Sequence, residues 1–162
     1  MTGQLTVATD GSSRGNPGPA GWAWVVSPDR WQAGSIPDAT SIVAELTAIY
    51  RLLLTAPTGV PLQILTDSEF AVNVCTKWAA SWRRSGWRKR DGEPVANRVL
   101  VAALDEALRA RSARTDVEWV RAHNGHPLNE AADRLATGVN AAAVGQPAQI
   151  TGPGWGASQS RP

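Results

Sequence analysis

The chain has 162 residues, the size of one compact domain, and such a domain can bury ~70% of its unfolded surface. Its single cysteine excludes an intramolecular disulfide framework and a cysteine-rich zinc module. No apolar run is long enough to predict a transmembrane helix, and the N-terminal residues do not form the basic and apolar regions of a signal peptide. These features predict a soluble, cytoplasmic domain, with a monomer as the default.

The net charge of +2 hides an uneven distribution of charged residues. Residues 70–90, called the basic block below, carry six basic residues and no acidic one, whereas the rest of the chain carries ten basic and fourteen acidic residues. Three of the eight tryptophans, Trp78, Trp82 and Trp87, lie in the basic block. Interleaved aromatic and basic residues suit base stacking and phosphate contact on a nucleic acid. A solvated helix face whose tryptophans belong to the core explains the same pattern equally well.

The first forty residues predict three short strands. Residues 5–9 alternate between apolar and polar side chains and run into a turn-rich segment, residues 10–19. Residues 22–26 and 31–36 form two further strand patterns, joined by a hairpin-like link. Three consecutive strands with short links favour an antiparallel meander.

Strands alternate with helices after residue 40. Thr40 or Ser41 can cap a helix that runs to about residue 54. Further strands are predicted at residues 62–66 and 117–121, and further helices at residues 68–84, 95–111 and 127–143. This alternation requires parallel crossovers, so the predicted fold is α/β, with a mixed five-stranded sheet flanked by helices. The sheet combines the three-strand antiparallel meander with two parallel strands.

The domain prediction divides the chain near residue 143. Residues 1–143 contain all of the predicted strands and helices, and they are assigned to one domain. Residues 144–162 are rich in Gly, Pro, Ala and Gln and carry one charged residue, Arg161, which predicts a flexible tail.

Carboxylates follow two of the predicted strands, and a third lies on a helix. Asp10 ends the first strand and Asp67 the fourth, so both emerge at the same edge of the sheet if these strands are parallel neighbours. A turn or helix cap is the structural alternative for either aspartate alone. Glu45 lies at helical spacing from Ile42 and Ile49, inside an apolar stripe, where an ionised carboxylate needs a distant cation or a metal. The alternative is that Glu45 reaches the edge of this stripe.

A glycine-containing turn joins the fifth predicted strand to the last helix. His123 lies on this turn, where an imidazole can reach a cleft and exchange protons near neutral pH. His126 precedes a proline at the helix start, which suits a capping or packing role. The spacing does not distinguish Asp133 from Glu130 as a further site residue.

Several carboxylates with one histidine and no cysteine ligand predict an oxygen-rich metal site. Such sites suit Mg²⁺ or Mn²⁺ rather than zinc. Two of these cations ~4 Å apart can promote in-line attack on a phosphodiester.

Four sets of motifs occur in order along the chain: Thr9-Asp10-Gly11-Ser12 with Gly15-Asn16-Pro17-Gly18-Pro19, Ala44-Glu45-Leu46, Thr66-Asp67-Ser68, and His123 with Gly125-His126-Pro127, Asn129-Glu130 and Asp133. With these motifs the chain resembles bacterial-type ribonuclease HI, of the type 1 ribonuclease H family. The basic block falls where that family has a basic, tryptophan-rich handle, and the resemblance spans residues 4 to about 140.

The resemblance implies a ribonuclease H-like fold and endonucleolytic cleavage of the RNA strand of RNA/DNA hybrids, giving 5′-phosphate and 3′-hydroxyl ends. It implies that Asp10, Glu45, Asp67 and Asp133 hold two Mg²⁺ ions, for which Mn²⁺ can substitute, and that Asp10 bridges them. His123 would assist proton transfer or product departure.

The resemblance also implies a set of substrate contacts. Asn16 and Ser68 match positions that contact the hybrid, and Thr40 with Asn97 would hold a phosphate of the DNA strand. The contacts implied within the basic block are those of Trp78, Trp82, Arg83, Arg84, Arg88 and Lys89.

Five residues depart from the family's pattern without removing a metal ligand. Ser41 and Ile42 stand where Asn or Gln is frequent, so the resemblance does not carry the minor-groove contacts of those amides over to this chain. Glu69 replaces a common Gln, Phe70 a common Tyr, and Asp38 a basic residue of some members.

Two other functions fit part of the pattern. A hybrid- or duplex-binding module without catalysis is disfavoured, because a pure binder gains nothing from four carboxylates that repel phosphate. A resolvase or transposase core that cuts DNA with two metal ions is disfavoured by the short chain and the basic block.

Overall fold

The structure is a computed structural model, and it describes residues 3–122, 124–142 and 149–151. The chain begins with three strands: β1 (Leu5–Ser13), β2 (Gly18–Ser27) and β3 (Arg30–Ala39). β1 and β2 extend into the segment predicted as a turn, because their antiparallel pairing continues as far as Ser13 opposite Ala20. Ladder hydrogen bonds use only backbone groups, so this glycine-rich sequence can still pair as a strand.

The later elements follow the predicted order. The helical segment after residue 68 is divided by a π-helical turn (Val74–Trp78). The remaining elements are α1 (Ser41–Thr55), β4 (Leu62–Thr66), α2 (Glu69–Asn73), α3 (Ala79–Arg84), α4 (Arg98–Arg109), β5 (Thr115–Trp119), α5 (Pro127–Ala142) and β6 (Gln149–Thr151).

In the described residues the sheet has six strands in the order β5-β4-β1-β2-β3-β6. β1 is parallel to β4 and β4 to β5, whereas β1, β2 and β3 are antiparallel. The predicted five-stranded mixed sheet is therefore confirmed.

The sixth strand, β6, is not predicted by the sequence. It pairs antiparallel with β3, with Ile150 opposite Ala33, and it lies inside the segment predicted to be a flexible tail. Three residues are too few for a periodic pattern, and the free edge of β3 supplies the partner. The other residues of the predicted tail lie outside the described part of the chain, so its flexibility and the boundary near residue 143 stay predictions.

Helices cover both faces of the sheet. Val7 on β1 is buried in the main core cluster with Ile49 of α1, whereas the neighbouring Ala8 is buried against Ala132 of α5. Since successive side chains of a strand point to opposite faces, α1 and α5 lie on opposite sides of β1. Within the described residues, no helix is long and apolar enough to cross a membrane.

Candidate active site

The register of two parallel strands places two aspartates side by side. Ala8 of β1 lies opposite Leu65 of β4. Asp10 lies two residues further along β1, and Asp67 lies two residues after Leu65, immediately beyond the end of β4. The predicted end of the first strand at Asp10 is wrong, because β1 continues to Ser13 along β2. The predicted neighbourhood of the two carboxylates is nevertheless what the structure shows.

Gly11 allows α1 to bring Glu45 against this pair. A Cβ atom on Gly11 would lie 2.3 Å from the backbone nitrogen of Glu45 and 2.8 Å from Cβ of Ala44, so no side chain fits between β1 and α1 here. The Gly11 amide donates hydrogen bonds to the carboxylates of both Asp10 and Glu45. One carboxylate oxygen each of Asp10, Glu45 and Asp67 lies within 4.8 Å of the others.

Asp133 of α5 completes the cluster from the opposite face of the sheet. The side chains of Asp133 and Asp10 form a hydrogen bond that raises the pKa of Asp10, because the protonated form of Asp10 is the donor. The structure thus brings Asp133 into contact with Asp10; the resemblance implies this residue as a metal ligand, although spacing alone does not distinguish it from Glu130.

Burial raises the pKa of two carboxyl groups of the cluster, those of Asp10 and Glu45. Burial and the charge of Asp67 raise the pKa of Asp10 to about 8. The pKa of Glu45, which is only 8% exposed, is also raised by burial, then by the charges of Asp10 and Asp67. Within the described part of the chain, no lysine or arginine forms an ion pair with Asp10 or Glu45.

The cluster fits a divalent metal ion. Glu45 Oε2 is buried and has no hydrogen-bond partner among the described residues, which leaves a lone pair free for a cation. The donors are all carboxylate oxygens, the ligands that Mg²⁺ and Mn²⁺ prefer.

The turn between β5 and α5 is described only in part. His123 lies outside the described residues, so its role in proton transfer or product departure stays a prediction. His126 is partly buried, and its carbonyl oxygen accepts the Glu130 amide in the first turn of α5, as a residue that precedes a helix does.

The basic block folds against the main core and keeps part of its aromatic surface exposed. The rings of Phe70 and Trp78 meet edge to face with centroids 5.2 Å apart, and those of Trp78 and Trp82 are 5.9 Å apart. Trp78, Trp82 and Trp87 are half-buried and pack on the core cluster, while Phe70 is 46% exposed. The tryptophans therefore contribute to the core, as the structural alternative predicts, while the nucleic-acid contact of the block stays a prediction.

The comparison with known proteins decides the family. The family model described as RNase H matches residues 2–141 of the chain. The chain belongs to the ribonuclease H family. It is 46% identical over 153 residues to Ribonuclease H of Tropheryma whipplei (strain Twist), with 94% of each chain covered. It is also 46% identical over 144 residues to Ribonuclease HI of Streptomyces coelicolor, a match that covers 85% of this chain and 62% of that protein.

A further ribonuclease H and one solved structure extend the comparison. Ribonuclease H of Pseudomonas aeruginosa (strain LESB58) is 38% identical over 138 residues, with 82% of this chain and 90% of that protein covered. The crystal structure of LC9-RNase H1, a type 1 RNase H with the type 2 active-site motif, superposes with a TM-score of 0.70 at 22% identity. The match covers 95% of this chain and 78% of that one. The predicted family, enzyme class and fold are thereby confirmed.

One cation of the predicted handle is already engaged within this ribonuclease H domain. Nη1 of Arg83 lies 2.7 Å from each carboxylate oxygen of Asp105, whose side chain is 7% exposed, and Arg109 Nε lies 3.1 Å from the same group. A phosphate contact by Arg83 is therefore disfavoured. Arg84 and Lys89 are exposed, and they remain candidates for phosphate contact.

Arg88, the third candidate in the handle, is exposed as well. Its Nη1 donates a 2.9 Å hydrogen bond to the carbonyl oxygen of Gly92, which ties the guanidinium to the loop that follows α3. The bond uses one of several guanidinium donors, so Arg88 can still contact a phosphate.

Two of the predicted substrate contacts cap α1. The Thr40 hydroxyl accepts a hydrogen bond from the Val43 amide, which confirms the predicted helix start. Asn16 Oδ1 accepts from the Ser41 amide at 2.8 Å, so the loop between β1 and β2 is tied to the same helix end. Their predicted contacts with the hybrid stay predictions.

The other two polar residues lie near the basic block. Ser68 caps α2, since its Oγ accepts the Ala71 amide at 3.1 Å. Asn97 has a positive φ of 57° immediately before α4, and it lines a cavity of about 220 Å³ with Trp82 and Lys89. This position is compatible with the phosphate contact predicted for Asn97.

Two residues near the site were missed by the sequence analysis. Asp105 lies on the same face of α4 as Val101 and four residues before Arg109. An acid inside an apolar stripe, with a basic residue four positions later, is a sequence pattern that predicts a buried ion pair. Trp119 is 44% exposed, and its indole Nε1 donates to the carbonyl oxygen of Asp67. No local pattern distinguishes such a tryptophan from a core residue of a strand.

Proposed function

We propose that this ribonuclease H domain hydrolyses the RNA strand of RNA/DNA hybrids as an endonuclease and leaves 5′-phosphate and 3′-hydroxyl ends. The observation that carries the proposal is the buried cluster of Asp10, Glu45 and Asp67 in a member of this family. Burying carboxylates without a cation is costly, so their convergence is typical of a metal-dependent active site and not of a binding module.

The proposed cofactor is a pair of Mg²⁺ ions, for which Mn²⁺ can substitute. Asp10, Glu45, Asp67 and Asp133 would hold these ions, and Asp10, whose carboxyl group contacts those of Glu45 and Asp133, would contribute to both sites. When bound, such ions activate the attacking water and stabilise the charge that develops on the leaving oxygen.

The residues of the chain prepare the site for these ions. The Gly11 amide hydrogen-bonds to the carboxyl groups of Asp10 and Glu45 and so favours their ionised, metal-binding forms, whereas burial and the neighbouring carboxylates raise both pKa values until a cation is bound. His123 is proposed to assist proton transfer or product departure, because an imidazole can exchange protons near neutral pH.

The proposed substrate surface combines the cluster with the exposed part of the basic block. Arg84, Arg88 and Lys89 are proposed to contact phosphates. Phe70, whose ring meets that of Trp78, lines the same cavity as Lys89 and adds aromatic surface beside it. Selectivity for the RNA strand is expected to rest on its 2′-hydroxyl groups, which distinguish RNA from DNA at a given site.

One assay tests the proposal. A labelled RNA/DNA hybrid, double-stranded RNA and double-stranded DNA are each incubated with Mg²⁺ and with chelator. We expect cleavage of the hybrid alone, in its RNA strand and only with Mg²⁺, and products that a ligase joins without prior phosphorylation. Cleavage in chelator, or cleavage of double-stranded DNA, would contradict the proposal.

Asp10→Asn and Asp67→Asn are the matched variants for this assay. Each removes a proposed ligand and keeps the size of the side chain, so activity in Mg²⁺ should fall below a tenth of wild type while the protein stays folded. Activity above that level, with an unchanged circular dichroism spectrum, would refute the ligand assignment.

A further inference from the structure

We propose that Trp119 and Arg121, at the carboxyl end of β5, form a second nucleic-acid contact beside the carboxylate cluster, and that Trp119 also positions Asp67. The inference rests on the proposed hydrolysis of hybrids and adds a substrate contact to it. Neither residue belongs to the basic block.

The register of the sheet places Trp119 next to Asp67. Thr66 of β4 lies opposite Trp119 of β5, and Asp67 is the residue that follows Thr66. The Val120 amide donates to the Thr66 carbonyl at 2.9 Å, which fixes this end of β5 against β4. Trp119 Nε1 then donates to the Asp67 carbonyl at 3.3 Å.

The exposure of Trp119 points to a role outside the core. By strand alternation Trp119 lies on the same face of β5 as Val117, which is buried in the core cluster, yet Trp119 is 44% exposed. A tryptophan ring in a strand usually buries most of its surface. Here nearly half of the Trp119 surface stays exposed to solvent, at the edge of the sheet where the carboxylates lie.

Arg121 adds a positive charge to this exposed ring. Its guanidinium carbon lies 5.9 Å from the centre of the Trp119 ring, within the range of a cation–π contact. Arg121 is exposed, and it forms no ion pair with an acid in the described ranges 3–122, 124–142 and 149–151. Its N–H groups are therefore available to a phosphate.

A cation stacked on a tryptophan is a combination that binds the sugar–phosphate backbone of a nucleic acid. Because Trp119 contacts the backbone of Asp67, we expect the phosphate bound by this pair to lie close to the phosphodiester that is cut. We therefore assign Arg121 to substrate binding and Trp119 to positioning of Asp67, through the indole N–H.

The two roles predict different kinetic effects. Arg121→Gln should raise KM roughly three- to tenfold and leave kcat near wild type. It should also reduce the slope of log K against log salt by roughly 0.9, because one phosphate is no longer neutralised. Arg121→Lys should restore the slope, because the charge returns.

Trp119→Phe keeps an aromatic ring but removes the N–H. It should lower kcat roughly two- to tenfold with little change in KM, because Asp67 shifts.

Arg114→Gln is the matched control. Arg114 is also exposed, but it pairs with Asp116 at the opposite end of β5, so its replacement should leave KM, kcat and the salt slope unchanged. Melting curves test whether each variant is folded. Arg121 is exposed, so its replacement should remove little packing beyond the contact with the Trp119 ring.

Each outcome distinguishes this inference from the proposed function. A wild-type KM and salt slope for Arg121→Gln would overturn the substrate contact, and a wild-type kcat for Trp119→Phe would overturn the positioning role. Absence of hybrid cleavage by the unmodified protein would instead contradict the proposed function itself.

Discussion

At the scale of single residues, the carboxylate cluster requires a glycine at position 11 as well as its acidic side chains. Because Gly11 has no side chain, α1 lies close to β1 at this point. The backbone amide of Gly11 can therefore hydrogen-bond to the carboxyl groups of both Asp10 and Glu45. A larger residue would push Glu45 away from Asp10, and the pair could then no longer share a cation.

Gly11→Ala should therefore abolish hydrolysis and lower the free energy of unfolding by roughly 1–3 kcal/mol, the usual cost of overpacking. Chemical denaturation and the hybrid assay measure the two effects. Gly138→Ala is the control, since a Cβ at this exposed position of α5 meets nothing within 4 Å. That change should leave activity intact and stabilise the helix by roughly 0.5–1 kcal/mol. Wild-type activity in Gly11→Ala would show that the close approach is not required.

At the scale of elements, the basic block is anchored by an ion pair between two helices. Asp105 of α4 holds Arg83 at the end of α3, so the orientation of the exposed cations is coupled to the core through a buried carboxylate. The block therefore contains one arginine with a structural role among others that face solvent.

The two kinds of basic residue can be separated by mutation. Replacing Arg84, Arg88 and Lys89 together by Ala should raise KM and lower the salt slope by roughly 0.9 for each phosphate that is no longer neutralised. Arg83→Ala should instead leave the salt slope near wild type and destabilise the protein by roughly 1–3 kcal/mol, because Asp105 loses a partner. Salt titrations and melting curves decide the matter. An unchanged slope in the triple variant would make the block a solvated face.

At the scale of the whole molecule, the clustered carboxylates link stability to pH and to metal ions. The ordinary pKa of Asp10 is 3.8, and in the folded protein burial and Asp67 raise this pKa to about 8. The folded state thus binds more protons than the unfolded state between these values, so stability falls as pH rises through this range.

Asp10→Asn should therefore melt at a higher temperature than wild type in chelator. The difference should grow from about pH 4 to about pH 8 and level off above it, since the amide does not ionise. Thermal melts in chelator across this range provide the measurement. A mutant that melts below wild type at high pH would show that the Asp10 carboxylate stabilises the fold.

Mg²⁺ should reverse this order. An ion that binds only the folded state adds about 2.7 kcal/mol at a hundredfold excess over its Kd, so wild type should gain and Asp10→Asn should gain little. Equal gains in both proteins would place the ion elsewhere than at Asp10.

Much of this protein is determined by its sequence alone. Apolar periodicity predicts the five long strands and their sequence along the chain, because the pattern of each strand depends only on residues close together in the chain. The acid at position 45 is visible as a carboxylate in an apolar stripe, and the motifs around Asp10 and Asp67 indicate the family. These patterns lie within short stretches of the chain, so they can be recognised without the tertiary structure.

The tertiary structure alone decided which distant groups meet. It placed Asp133 against Asp10, tied Arg83 to Asp105, set the indole of Trp119 against Asp67, and added β6 to the edge of β3. Each of these contacts joins residues far apart in the chain. Whether they form depends on strand register and on helix packing over the sheet, because hydrogen bonds and ion pairs act only over a few ångströms.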